Sequence, residues 1–190
     1  MAAVSAPSPV IKVAALCGSL RKGSYNRGLL RAVQSMVWRW SMSDISPLPF
    51  VNTDLEVNGT YPPVVEAFRQ KILSADSILF AVQLLCLWGP LKNAIDWASR
   101  PPNVWADKTA AIVSAGGGFG GGRSQYHLRQ TGVYLDLHFI NKPEFFLNAF
   151  QPPAKFDGDS NLIDDIAKAK LKGVLLSLYA FTLRLHGKCG

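Results

Sequence analysis

Two stretches of this chain combine residue types that can hold an anion and a flat ligand. The first is Gly18-Ser19-Leu20-Arg21-Lys22-Gly23-Ser24-Tyr25-Asn26-Arg27. Phosphate groups are held by N–H groups at a helix N-terminus, by hydroxyl and amide donors, and by a cation. Ser19, Ser24, Asn26 and Arg21 supply the side chains for that task. The competing reading is a capped turn with surface charges; the density of donors favours phosphate. A Walker A loop is excluded, because no Gly-Lys-Ser or Gly-Lys-Thr closes the stretch. The second is Gly116-Gly117-Gly118-Phe119-Gly120-Gly121-Gly122, preceded by Ser114. Gly116, Gly118 and Gly121 fit a GxGxxG pattern, but a dinucleotide fingerprint belongs after the first strand, with an acid about twenty residues on. Here the run follows a late strand. Its use is different: without Cβ atoms, the backbone can approach a flat ligand closely. A flexible loop with no ligand is the alternative.

Groups that would let side chains do chemistry alone are missing from the pattern. His127, His138 and His186 stand apart from one another and read as structural or surface residues. Cys17, Cys86 and Cys189 are odd in number, far apart and in no CxxC pair. Neither a zinc site nor a disulfide framework is expected, and a reducing, cytoplasmic setting fits.

These loops need elements to position them. Ile11–Leu16 is an apolar run that ends at the first loop and reads as a buried strand. Ser24–Val37 has helical spacing through Leu29, Leu30, Val33 and Val37, with Ser24 placed to cap it. Met36–Met42 reads either as the end of that helix or as a short second strand. Asp44–Tyr61 is loop, rich in Pro, Asn and Asp. Pro62-Pro63 opens a helix over Val64–Leu73. Ser77–Val82 is a strand, Leu91–Ser99 a helix, Thr109–Ala115 a strand, Arg123–Gly132 a helix and Val133–Ile140 a strand. A last helix runs from about Asn161 to Leu185, with Leu162, Ile166, Val174, Leu178, Phe181 and Leu185 as its buried stripe. Strands alternating with helices predict a doubly wound parallel sheet of five strands, helices on both faces, the second strand shortened. Both conspicuous loops follow strands, so both fall on the carboxyl edge, where such sheets bind ligands.

Composition narrows the class. Apolar residues make up 48% and charged residues 17%, which excludes a disordered chain. No apolar stretch is long enough to span a membrane. Met1–Val10 reads as a disordered tail, and residues 11–190 as one domain. The net charge of +7 comes from scattered basic residues. On charge alone the reading is solubility; attraction of an anionic, phosphate-bearing ligand is the alternative. No nucleic-acid motif accompanies it.

The motifs together carry a resemblance. Gly18-Ser19-Leu20-Arg21 with Ser24 and Asn26 resembles the phosphate loop of the NADPH-dependent FMN reductase family. Leu91-Lys92-Asn93-Ala94-Ile95-Asp96-Trp97 resembles that family's LKNAxDW helix, and Ser114–Gly121 its glycine loop beside the flavin ring. Asp44–Ala81 and Pro90–Leu185 are especially similar to plant NADPH:quinone oxidoreductases. The resemblance implies a flavodoxin-like fold and noncovalent FMN, with NADPH or NADH as electron donor and a quinone as acceptor. The flavin carries the chemistry, so no catalytic side chain is expected. It implies cofactor contacts from Ser19, Arg21, Ser24, Asn26, Ser114, Gly116, Gly117 and Gly118, and from Gln83, Leu84, Leu85 and Cys86 beside the ring. Arg123, Tyr126 and Glu144 match positions that join subunits in similar reductases, implying a homodimer or homotetramer; local surface pairing is the alternative.

Two intervals depart from the family pattern. Val82–Gly89 is apolar and shorter than the family's interval between the third strand and the LKNAxDW helix, which carries P-E-Y-N, and Met36–Ser43 must both end a helix and form a strand. A flavodoxin-like paralogue without productive flavin binding is the alternative that the first departure supports. A one-electron carrier conflicts with the basic charge, and a pyridine-nucleotide dehydrogenase with the misplaced GxGxxG.

Overall fold

The computed structural model describes residues 10–36, 39–82 and 89–187. In chain order the elements are β1 (Val13–Cys17), α1 (Tyr25–Gln34), β2 (Trp40–Ser43), a 3-10 turn (Thr53–Leu55), α2 (Pro63–Leu73), β3 (Ser77–Val82), α3 (Gly89–Ser99), β4 (Lys108–Gly116), α4 (Gly122–Tyr134), β5 (Leu137–Phe139), β6 (Phe145–Asn148) and α5 (Asp165–Leu185). The sheet runs β2-β1-β3-β4-β5, with β6 also on β4. Every ladder is parallel. This is the flavodoxin-like order, which reverses between β1 and β3.

Side chains alternate across a strand, so each interior strand feeds two cores. In β3, Ile78, Phe80 and Val82 point into a core with α2, α3 and Leu128 of α4. Leu79 and Ala81 point into the other, with α1 and α5. Burial on both faces is why these strands read as unbroken apolar runs. Among the described residues, no helix is long and apolar enough to cross a membrane.

Several expectations are corrected. The sheet has six strands, not five. The fifth position holds two short strands side by side along β4: β5 pairs with Lys108–Ala110, and β6 with Val113–Gly116. The strand expected over Val133–Ile140 shrinks to Leu137–Phe139. Val133 and Tyr134 end α4, and Asp136 turns the chain with a φ of 60°. Pro143 then breaks the run, since proline cannot donate to a ladder. The Met36–Met42 ambiguity resolves into β2, which pairs Trp40–Ser43 with Val13–Leu16; Val37 lies outside the described residues.

The stripe of α5 is Ala167, Leu171, Val174, Leu178 and Thr182. Ile166 is 69% exposed and Leu185 40%. Counting from Leu162 fails because Leu162 precedes the helix. The helix begins after Asp164, whose carboxylate accepts from the N–H of Ala167 at 2.7 Å.

Candidate functional site

β1 and β4 end on the same edge, and their loops face each other across a cavity of about 490 Å3. That volume lies within the usual range for small-molecule sites. Ser19, Arg21, Ser24, Asn26, Gly116, Gly117 and Gly118 all line it. Seven of the predicted positions, read from segments ninety residues apart, therefore border one cavity.

The first loop presents the open end of α1. The first helical bond runs from Gly28 N–H to Ser24 O at 3.0 Å, so the preceding N–H groups have no helical acceptor. Such an end carries partial positive charge. Gly23 lies against Arg21: a Cβ placed there would be 3.8 Å from Nε and Nη2. The Arg21 guanidinium is thus folded over the loop. Arg27 secures the other side, donating from Nε to Ser19 O at 3.1 Å. Ser24 does not cap α1 through its side chain, contrary to expectation. It is buried and its residue borders the cavity.

Asn26 has a more specific place than the sequence implied. It is 1% exposed, and its amide spans to β4. Nδ2 donates to Ala115 O at 3.0 Å, and Oδ1 accepts from Ala115 N–H at 2.9 Å. This pair of hydrogen bonds joins the two ligand loops.

In the second loop, Gly120 and Gly121 adopt φ values of 54° and 85°. The loop closes on itself through Gly120 N–H to Gly117 O at 2.7 Å and Gly122 N–H to Phe119 O at 2.9 Å. Gly117 and Gly118 face open space: a Cβ on either would meet nothing within 4 Å. Ser114 is the one described glycine-loop candidate off the cavity wall. It is fully buried, with its hydroxyl bonded to Gly120 O and to Gln125. The predicted ring contacts Gln83, Leu84, Leu85 and Cys86 lie outside the described residues.

Sequence reasoning missed three aromatic residues at the cavity. Tyr25, Phe119 and Phe150 line it. Tyr25 stacks on Phe156 with centroids 4.3 Å apart and meets Phe150 edge-on at 5.7 Å. Phe119 is 74% exposed and lies 5.2 Å beneath the Arg123 guanidinium. A lone aromatic within a glycine run was the available signal for Phe119; Phe150 had none, because it follows the unexpected β6.

A turn at residues 157–161 braces the first loop from outside. Arg31 donates to Asn161 Oδ1 at 2.8 Å, Asp159 O at 3.0 Å and Ser160 O at 2.9 Å. Ser160 Oγ in turn donates to Gly23 O at 3.0 Å. Cys17 sits beneath the loop, where burial pushes its thiol pKa up despite lesser opposing effects from the Ser19 backbone and nearby arginines. A neutral, buried thiol is no nucleophile.

Of the positions expected to join subunits, Tyr126 Oη donates to Glu144 Oε1 at 3.3 Å within the chain, while Arg123 faces Phe119. Asp107, Asp136 and His138 approach within 4.8 Å of one another at the amino ends of β4 and β5, far from the cavity. Both aspartates are exposed.

The cavity thus joins a cationic, N–H-rich loop to a glycine-walled slot lined by aromatic rings. That donor set fits FMN, which carries one phosphate and one flat ring system. Comparison with known proteins points the same way. The family model described as NADPH-dependent FMN reductase matches residues 11–152. The chain is 69% identical to an NADPH:quinone oxidoreductase of Arabidopsis thaliana, over 99% of this chain and 100% of that protein. It is 44% identical to an NAD(P)H-dependent FMN reductase of Pseudomonas aeruginosa, over 93% and 98%. Among solved structures, the flavoenzyme NAD(P)H:(acceptor) oxidoreductase FerB of Paracoccus denitrificans superposes with a TM-score of 0.82 at 26% identity, covering 92% of this chain and 98% of that one. The chain belongs to the NADPH-dependent FMN reductase family.

Proposed function

We propose that this protein is an FMN-dependent NAD(P)H:quinone oxidoreductase whose flavin occupies the cavity between the β1 and β4 loops. The observation that carries this is the convergence of Arg21, the open end of α1 and the bare backbone of Gly117–Gly118 on one cavity. When bound, FMN supplies the two-electron relay from NAD(P)H to the quinone. The chain's own residues bind and orient. Arg21, Ser19, Ser24 and the first-turn N–H groups of α1 hold the phosphate. Gly116–Gly118 lie along the ring, and Asn26 keeps the two loops in register. That relay requires neither a general base nor a metal from the chain.

The same reading includes self-association. Tyr126, Val133 and Tyr134 are large exposed side chains on one side of α4, beside the Tyr126–Glu144 pair. A homodimer or homotetramer that covers them brings Arg123 and Phe119 to the subunit boundary. The widely spaced cysteines favour a reducing, cytoplasmic setting.

Purified protein titrated with FMN tests the assignment. The expected result is a yellow complex, bleached by NADPH and recoloured by a quinone. Arg21→Ala should weaken FMN binding by roughly 1.5–3 kcal/mol, the worth of charge-assisted bonds to a phosphate. A folded protein that takes up no FMN would instead support the paralogue without flavin. An unchanged dissociation constant in Arg21→Ala would remove that residue from the site.

A further inference from the structure

We infer that Gln125 is a positioning residue of the flavin site, acting through Ser114 on the glycine loop. The inference rests on the site proposed above. Gln125 lies in the first turn of α4, is 1% exposed and is not part of the cavity wall. Its Nε2 is 2.7 Å from Ser114 Oγ and 2.8 Å from Phe145 O. A carbonyl oxygen only accepts, so the amide nitrogen must face Phe145. That settles the rest of the chain. The amide donates to Ser114 Oγ, and the single hydroxyl proton of Ser114 is left to go to Gly120 O, its close neighbour. Donation therefore runs one way, from Gln125 to Ser114 to Gly120.

The receiving loop has little freedom to move elsewhere. A Cβ on Gly120 would be 2.7 Å from Leu147 N, and one on Gly121 2.7 Å from Ser114 Cβ. The loop is wedged between β6 and the end of β4. The hydrogen-bond chain sets which way the Gly120 carbonyl points, and hence which face of Gly117 and Gly118 is offered to the cavity. Gln125 Oε1 is buried without a partner among the described residues. An unpaired buried acceptor is costly, so the structural gain from this side chain lies in the two bonds that its nitrogen donates.

The test is FMN titration of Gln125→Met, Ser114→Ala and the double variant, followed by flavin fluorescence and the visible band shape. Met keeps the length and removes both donors. Each single variant should bind FMN roughly tenfold more weakly, equivalent to about 1.4 kcal/mol, with a bound spectrum shifted toward free flavin. The double variant should lose no more than the worse single one, because both act through one chain. General destabilisation predicts additive losses, and additive losses would overturn the inference. An unchanged affinity and spectrum in folded Gln125→Met would also overturn it, leaving the site intact if Arg21→Ala still weakens binding. If the parent protein takes up no FMN, the site and this inference fall together. Should Gln125→Met not fold, Ser114→Ala decides alone, since it leaves the bond from Gln125 to Phe145 in place.

Discussion

Asn26 offers the sharpest test of how the site is built. Its amide makes two buried hydrogen bonds to Ala115, one donated at 3.0 Å and one accepted at 2.9 Å. Ala115 is itself 3% exposed. Truncation in Asn26→Ala leaves a buried N–H and a buried C=O unpaired, each worth roughly 1–3 kcal/mol. The expected loss is about 3 kcal/mol, because water from the adjoining cavity can satisfy part of it. For a chain of this size that corresponds to a melting temperature lower by roughly 6–12 °C. The two ligand loops also lose their only direct side-chain link among the described residues. FMN affinity should therefore fall at least about tenfold. Saturating FMN should recover part of the lost stability, because the ligand binds only the folded state. Asn26→Asp separates the two effects. It can still accept from Ala115 N–H, but it sets a carboxylate against Ala115 O and adds negative charge beside the phosphate position. It should bind FMN more weakly than Asn26→Ala does. Differential scanning calorimetry and flavin titration read both quantities. An Asn26→Ala protein with unchanged melting temperature and unchanged flavin affinity would refute the claim that this residue holds the loops together.

Two further predictions address the frame of the site. Gly28→Ala should destabilise the fold by about 2–3 kcal/mol, as overpacking against backbone does: its Cβ would lie 2.0 Å from Ser160 O, which Arg31 also holds. A chemical-denaturation midpoint equal to that of the parent would contradict this. Asp164 links α5 to the turn before it, accepting from Lys155 at 2.7 Å and from Ala167 N–H at 2.7 Å. Chiefly the Lys155 bond, and then the Ala167 N–H, hold its folded pKa below the ordinary value. Its contribution is therefore present in full above the unfolded pKa, near 4, and is lost as pH falls through the lower folded value. Asp164→Asn keeps the cap but not the ion pair, so its melting temperature should decline less than that of the parent below pH about 4. Parallel acid-melting curves would count against this account.

Periodicity and turn chemistry in the sequence determined the interior strands and the helices that follow them. Strands buried on both faces have to be continuous apolar runs, and β1, β3 and β4 are. Loop chemistry was legible for the same kind of reason: few folds need Ser, Arg, Ser and Asn packed after a first strand, or six glycines after a late one. What the sequence left open depends on distance in the chain. β6 is four residues long and interrupted from β5 by a proline, so only the free edge of β4 makes it a strand. The phase of α5 shifted because Asp164, rather than the apolar pattern, sets where the helix starts. Asn26 in the first turn of α1 and Ser114 near the end of β4 were singled out as ligand contacts, yet their partners are Ala115, Gly120 and Gln125. Whether a polar side chain faces a ligand or its own backbone is decided by which buried group lacks a neighbour. That depends on strands and loops meeting in space, and no local pattern encodes it.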